Sequence, residues 1–142
     1  MMFVLDTNAI SELRKAQFGK ADLRFVEWAD SVSSSDLYVS AITIMELEIG
    51  AYQMERKDVT QGAALRGWLE KQVLPSFGGR ILPVDVDVAR CCARLHVFDR
   101  KNERDALIAA TALVHKMTVV TRNIADFAST GVALVNPWDH AS

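Results

Sequence analysis

Cysteine, proline, glycine and net charge are all scarce in this chain, and each shortage excludes a class of protein. The 142 residues include 2 Cys, the neighbours Cys91 and Cys92. Adjacent cysteines are too close along the backbone for an ordinary disulfide, so a disulfide scaffold is excluded. Both fall within a helical pattern and read as small buried residues in a reducing cytosol. With 3 Pro and 7 Gly, 50% hydrophobic and 24% charged residues, the composition is that of a folded globular chain rather than a disordered or fibrous one. Lys plus Arg at 16 against Asp plus Glu at 18 leaves a net charge of -2, which excludes a general polyanion binder. Any contact with nucleic acid must be local, through a patch or a metal ion. The longest uncharged apolar stretch, Ala106 to Val114, is too short to cross a bilayer. The start, Met1-Met2-Phe3-Val4-Leu5-Asp6, has no positive leader and meets an acid at once, which predicts no signal peptide. The expectation is a single soluble, cytoplasmic domain over residues 1–142 with no membrane partner.

Short apolar runs alternate with helical patterns. Strands are expected at Met2 to Leu5, Leu37 to Val39, Ile81 to Val84, Thr118 to Thr121 and Val132 to Val135. The Ile81 strand reads as an edge, because Pro83 cannot donate to a ladder. Helices are expected from Thr7, across Leu23 to Trp28, after Ser40 and Thr43, and from Val59 to Val73, where Pro75 and Gly78-Gly79 stop the helix. Further helices follow along Val88, Cys91, Cys92, Leu95 and Phe98, and from about Arg104. This alternation predicts an α/β fold with a mainly parallel sheet covered on both faces.

Four acids fall at junctions between strands and helices: Asp6 after the first strand, Glu46 early in the helix after the second, Asp105 at the start of a late helix, and Asp126 after Thr118 to Thr121. In a parallel sheet such junctions line the edge at the strands' C-terminal ends, where open α/β folds place ligands. Each acid also has a local explanation. Asp6 suits an N-cap, Thr43-Ile44-Met45-Glu46 has the spacing of a capping box, Asp105 favours its helix N-terminus, and Asp126 closes a turn begun at Asn123. Capping does not require convergence, however. Four carboxylates on one edge repel one another unless a cation is present. An oxygen-only donor set without His or Cys suits Mg²⁺ or Mn²⁺ rather than zinc. Such ions activate water and hold a phosphate oxygen, which points to phosphodiester hydrolysis.

Val4-Leu5-Asp6-Thr7-Asn8, Ser40-Ala41-Ile42-Thr43 leading to Glu46-Leu47 and Gly50, Asp105 to Ala112, and Thr121-Arg122-Asn123 with Asp126-Phe127 stand in one order along the chain. In that order they resemble a PIN-domain ribonuclease, and most closely the VapC-type toxins of type II toxin–antitoxin pairs. The resemblance runs from Phe3 to Asn136-Pro137-Trp138. It implies a three-layer α/β/α PIN-like domain and a Mg²⁺- or Mn²⁺-dependent endoribonuclease that hydrolyses RNA by metal-activated water. The family's acidic positions fall on Asp6, Glu46, Asp105 and Asp126. By that resemblance Asp6 and Asp105 are the principal metal ligands, and Glu46 a ligand or an orienter of the attacking water. Asp126 then acts through water or on a second ion. Asn8 and Thr121 are expected to hydrogen-bond the carboxylates, or to be a turn residue and a strand residue. The family also implies a homodimer and a cognate VapB-type antitoxin, whose tail takes a groove and whose side chain blocks the acidic cleft.

Arg100, Lys101, Arg104 and Arg122 flank the expected cleft and suit either an RNA backbone grip or, for the first three, a solvated helix end. His96, His115 and His140 read as ordinary residues beside a sufficient oxygen donor set, and Trp28, Tyr52 and Trp68 as packing residues. The large side chains Tyr52, Met54, Trp68 and Leu69 exceed what one small sheet needs, so some are expected at the surface. An Asp after the first strand also suits a haloacid-dehalogenase-like phosphatase, but that family needs a second acid where Asn8 stands. It also needs a late lysine that this sequence lacks. A receiver-type Mg²⁺-binding module lacks its strand-end Asp and Lys pair. A catalytically silent PIN-like partner-binding domain would not need the full acidic quartet.

Overall fold

The computed structural model describes residues 1–98 and 102–141, with nothing stated of the side chain of Phe98. The expectations for Arg100, Lys101 and the Phe98 side chain therefore lie outside the described residues. The chain runs β1 (Phe3–Leu5), α1 (Thr7–Ala16), α2 (Leu23–Ser31), β2 (Leu37–Ser40), α3 (Ala41–Lys57), α4 (Val59–Trp68) and α5 (Leu74–Ser76). It continues with β3 (Ile81–Leu82), α6 (Val86–Phe98), α7 (Glu103–His115), β4 (Thr118–Val120), α8 (Ile124–Phe127) and β5 (Leu134–Val135). The five strands form one sheet in the order β3-β2-β1-β4-β5, and every pairing is parallel.

Strand alternation divides the core into two layers, because successive side chains point to opposite faces. Phe3, Leu5, Leu37, Val39 and Val120 face one way and pack with Ile10, Phe25, Trp28, Leu47, Trp68 and Leu69 from α1 to α4 and the turn after it. Val4 and Val119 face the other way, against Ile108, Ala109, Ala112 and Phe127 of α7 and α8. The result is the expected three-layer α/β/α arrangement. α7 is alanine-rich where it is buried, at Ala106, Ala109, Ala110 and Ala112. Small side chains there let α7 lie close to both the sheet and α6, whose Val88, Cys91 and Cys92 meet Ala106 and Ala110. Both cysteines are free and buried, as the sequence predicts. Among the described residues no helix is long and apolar enough to cross a membrane.

All five strands lie where expected; β1, β3, β4 and β5 are shorter than expected, and β2 runs one residue further, to Ser40. β3 is an edge strand and stops at Leu82, before Pro83, which has no N–H to pair. β5 begins at Leu134 because the Val132 N–H is taken by the Thr130 hydroxyl at 3.2 Å. The helix after Val59 differs more. Instead of stopping before Pro75 it passes through a π turn, Leu69–Val73, and carries Pro75 in the first turn of α5, a position where a missing N–H costs little. Trp68 and Leu69 are buried, so of the four large side chains expected in excess Tyr52 is the exposed one, with Met54 half-buried.

Every strand in the sheet points the same way, so the segments after β1, β2 and β4 leave from one edge. Those segments carry Asp6, α3 with Glu46, and Thr121 to Asp126.

Candidate active site

Asp6 sits immediately past β1, and its position is fixed from three sides. Its own N–H donates to the Val120 carbonyl at 2.9 Å, which ties it to the end of β4. It is the N-cap of α1, with Oδ1 accepting from the Thr7 N–H at 2.8 Å. Its Oδ2 accepts from the Thr121 hydroxyl at 2.8 Å and from the Asn8 side-chain amide at 3.2 Å. Capping and clustering are thus not alternatives for this residue, which does both. Thr121 and Asn8 are held in turn. The Thr121 hydroxyl accepts from the Asn123 N–H at 3.0 Å, and Asn8 Oδ1 accepts from the Arg122 N–H at 3.2 Å. Arg122 lies with its guanidinium carbon 5.6 Å from the Trp138 ring centre. Trp138 is anchored against Phe25 with ring centres 4.9 Å apart.

Glu46 projects from the second turn of α3, where it meets Thr7 rather than its own helix end. The Thr7 hydroxyl donates to Glu46 Oε1 at 2.7 Å, and Arg104 Nη1 stands 3.7 Å from Glu46 Oε2. The capping-box explanation fails here. Ser40 caps α3, accepting from the Ile42 N–H at 3.0 Å. Thr43 therefore lies inside the helix, with its hydroxyl buried and without a hydrogen-bond partner among the described residues.

Asp105 lies in the first turn of α7, behind an Asn102 cap whose side chain accepts from the Arg104 and Asp105 N–H groups at 3.0 and 3.3 Å. The cap leaves the Asp105 carboxylate uncommitted, with no hydrogen-bond donor on it among the described residues. Asp126 is exposed in α8, and its N–H donates to the Asn123 carbonyl at 3.0 Å, the turn expected of it. That turn does not remove its carboxylate from the cluster.

Charge shows that the four acids share one neighbourhood. Burial, together with the charges of Asp6, Asp126 and Glu46, pushes the Asp105 carboxyl up to about 6. Burial also raises Asp6, with Glu46 and Asp126 adding repulsion, against the opposing hydrogen bonds from Thr121 and Thr7. Each raised carboxyl costs free energy when ionised, and a cation would recover it. The donor set is oxygen only and fits a hard divalent ion. It is a basin rather than a cage: among the described residues no three His, Cys, Asp or Glu stand close enough to hold an ion as they are placed. Mg²⁺ suits such a basin because it keeps several waters and needs few direct protein ligands.

Sequence reasoning named Asn8 and Thr121 but missed Thr7, although Thr7 lies between two residues it singled out. The available signal was a hydroxyl directly after the strand-end acid, within reach of a second carboxylate. The sequence marks Arg104 only as a flanking cation, and its nearness to Glu46 follows from the packing of α7 beside α3.

Comparison with known proteins agrees with this geometry. The model of the PIN domain family matches residues 3–132. The VapC ribonuclease Y4jK of Sinorhizobium fredii is 39% identical over 99% of this chain and 100% of its own. Toxin FitB of Neisseria gonorrhoeae is also 39% identical, over 96% of this chain and 99% of its own. The crystal structure of FitAcB from Neisseria gonorrhoeae superposes with a TM-score of 0.85 at 38% identity, covering 97% of this chain and 99% of that one. FitAB bound to a DNA fragment gives a TM-score of 0.87 at 37% identity, with 99% of both chains covered. With its parallel sheet, its acids at the sheet's C-terminal edge and a family match over nearly its whole length, the chain belongs to the PIN-domain family.

Proposed function

We propose that this chain is the toxin of a type II toxin–antitoxin pair, a single PIN-like domain over residues 1–142 acting as a Mg²⁺- or Mn²⁺-dependent endoribonuclease in the cytoplasm. The observation that carries the reading is the convergence of Asp6, Glu46, Asp105 and Asp126 at the sheet edge, where burial and the neighbouring acids raise the cost of ionising Asp6 and Asp105. The full-length likeness to a VapC ribonuclease and to toxin FitB supports the same activity. Relatives solved as FitAB and as a member of the VapBC family of toxin-antitoxin systems support a VapB-type antitoxin as the protein partner, and the family supports a homodimer.

Asp6 and Asp105 are the principal ligands in this reading. Glu46 is a ligand or orients the attacking water, and Asp126 acts through water or on a second ion. A bound divalent ion would polarise a phosphate oxygen and lower the pKa of a water to make it nucleophilic. The chain's own contribution is to fix the donors before substrate arrives. Thr121 and Asn8 hold Asp6 Oδ2, and the Thr7 N–H holds Oδ1. The Thr7 hydroxyl commits Glu46 Oε1, leaving Oε2 as the oxygen able to accept a water proton. Arg104, beside that oxygen, is placed to meet a phosphate at the basin. The phosphatase alternative is weakened further by Asn8, whose amide donates to Asp6 and supplies no second acid.

The test is cleavage of end-labelled total RNA in Mg²⁺ or Mn²⁺, with an EDTA control and an identically prepared Asp105→Asn protein. Discrete, chelator-sensitive fragments from the wild type alone support the reading. Equal cleavage by both proteins, or none by either, counts against it.

A further inference from the structure

A groove of about 550 Å³ opens from the carboxylate basin, and Thr7 and Glu46 belong to both. Away from the basin one part of its lining is cationic and aromatic, formed by Arg14, Lys15, Phe18 and Lys20 at the end of α1 and just beyond it, while Leu47 and Leu65 with the Trp68 ring supply an apolar part. Phe18 is 64% exposed, although a side chain of that size gains most from burial. The Arg14 guanidinium carbon lies 5.9 Å from the Phe18 ring centre and 5.6 Å from that of Trp68. Its Nε is shielded from solvent without a hydrogen-bond partner among the described residues. Lys15 meets Glu12 at 3.5 Å, while Arg14 and Lys20 have no ion-pair partner among the described residues. Cations at a helix C-terminus need no further reason, since the macrodipole favours Arg14 and Lys15 there. That explanation does not reach Lys20, which lies beyond α1, or the exposed ring of Phe18.

An exposed aromatic ring among cations suits a single nucleic acid strand, whose bases stack while its phosphates pair. A duplex would keep its bases from the ring. The chain's net charge of -2 makes so local a cluster the only kind of polyanion grip it has. Resting on the ribonuclease reading, we infer that this groove is a subsite for the single-stranded RNA that flanks the bond to be cut. Phe18 stacks on a base, and Arg14, Lys15 and Lys20 take the phosphates leading to the basin. The groove thus contributes substrate affinity and base preference, while the four acids carry the chemistry.

The test uses Phe18→Ala and Lys20→Gln, both at exposed positions. Cleavage kinetics on a single-stranded RNA are measured with each, and fluorescence anisotropy of the same RNA, labelled, is measured without divalent ion. Each substitution is expected to raise KM and Kd on the order of tenfold with kcat unchanged. Lys20→Gln is also expected to reduce the salt dependence of binding by about one released counterion. Wild-type KM and Kd in both variants would overturn the subsite while leaving the ribonuclease standing. So would unchanged RNA constants accompanied by lost binding of a co-purified protein partner, which would make the groove a protein-docking face. A wild-type chain that neither binds nor cuts RNA would overturn both readings.

Discussion

The Thr7 hydroxyl donates a 2.7 Å hydrogen bond to Glu46 Oε1 across 39 positions of sequence, and so sets one carboxylate of the basin from the residue that follows another. The same residue holds Asp6 through its backbone N–H. Thr7→Val keeps the shape and the N–H but removes the hydroxyl, freeing Glu46 to rotate. Loss of such a supporting bond costs on the order of 10- to 100-fold in ion affinity or activity. Thr7→Ser is expected to restore most of it, and Mn²⁺ titration by electron paramagnetic resonance gives the readout independently of RNA. Equal losses in the Val and Ser variants would assign the defect to packing instead.

Asp6→Asn and Asp105→Asn are both expected to abolish cleavage, but they should move stability in opposite directions. The Asp6 carboxylate accepts from Thr7, Thr121 and Asn8, and an amide in its place turns a donor toward at least one of those donors. Leaving a buried donor unmatched costs about 1–3 kcal/mol. Asp105 accepts no hydrogen bond among the described residues and is surrounded by like charge, so neutralising it relieves repulsion and loses little. In metal-free buffer the Asp105→Asn melting temperature should therefore lie at or above that of the wild type, and that of Asp6→Asn below it.

Acid should stabilise the metal-free protein over a limited range. The folded chain holds the Asp105 proton up to about pH 6, whereas an unfolded carboxyl releases it near its ordinary value of 3.8. Between those points the folded state binds more protons, so stability falls as pH rises from about 4 to about 6 and has lost this contribution by pH 7. Asp6 is shifted in the same direction. Allowing for solvent screening of a half-open group, the effect of Asp105 is about 1 kcal/mol, or about 3 °C in Tm between pH 7 and pH 5. Saturating Mn²⁺ should reverse the order, because the ion replaces the proton and binds best when the carboxyls are ionised. Scanning calorimetry at the two pH values, with and without the ion, checks both signs.

The strands and their parallel direction, though not their order in the sheet, were legible because a buried strand, a strand-end acid and a helix pattern repeat along the chain, and the repeat alone implies a common edge. Asp6, Glu46, Asp105 and Asp126 could be grouped for the same reason. The missed features depend on packing between distant elements. No local pattern marks that Thr7 of α1 faces Glu46 of α3, or that Arg104 reaches the same carboxylate. Ser40 and Thr43 both suit an N-cap, and only the observed helix start at Ala41 makes Ser40 the cap and buries the Thr43 hydroxyl. In the sequence Pro75 reads as a stop because a regular helix excludes it, and the preceding π turn is not written in composition.

Gly62 governs how closely α4 lies against α3, and therefore the shape of the wall that carries Glu46. A Cβ at this position would stand 2.5 Å from the Glu55 Cα and 2.7 Å from its backbone nitrogen, and backbone atoms cannot swing aside. The close approach lets Arg66 of α4 reach Glu55 at 3.1 Å and Glu48 at 2.5 Å, with its guanidinium carbon 4.6 Å from the Tyr52 ring centre. Gly62→Ala must push the helices apart, and overpacking of this kind costs about 1–3 kcal/mol, more than the helix propensity gained from alanine. The expected result is a lower melting temperature together with weakened pairing of Arg66. Arg66→Met, which removes that pairing without a clash, should cost less because these contacts are partly exposed. A Gly62→Ala protein as stable as the wild type would show that α4 can shift freely, and that the close approach at Gly62 does not set the helix spacing.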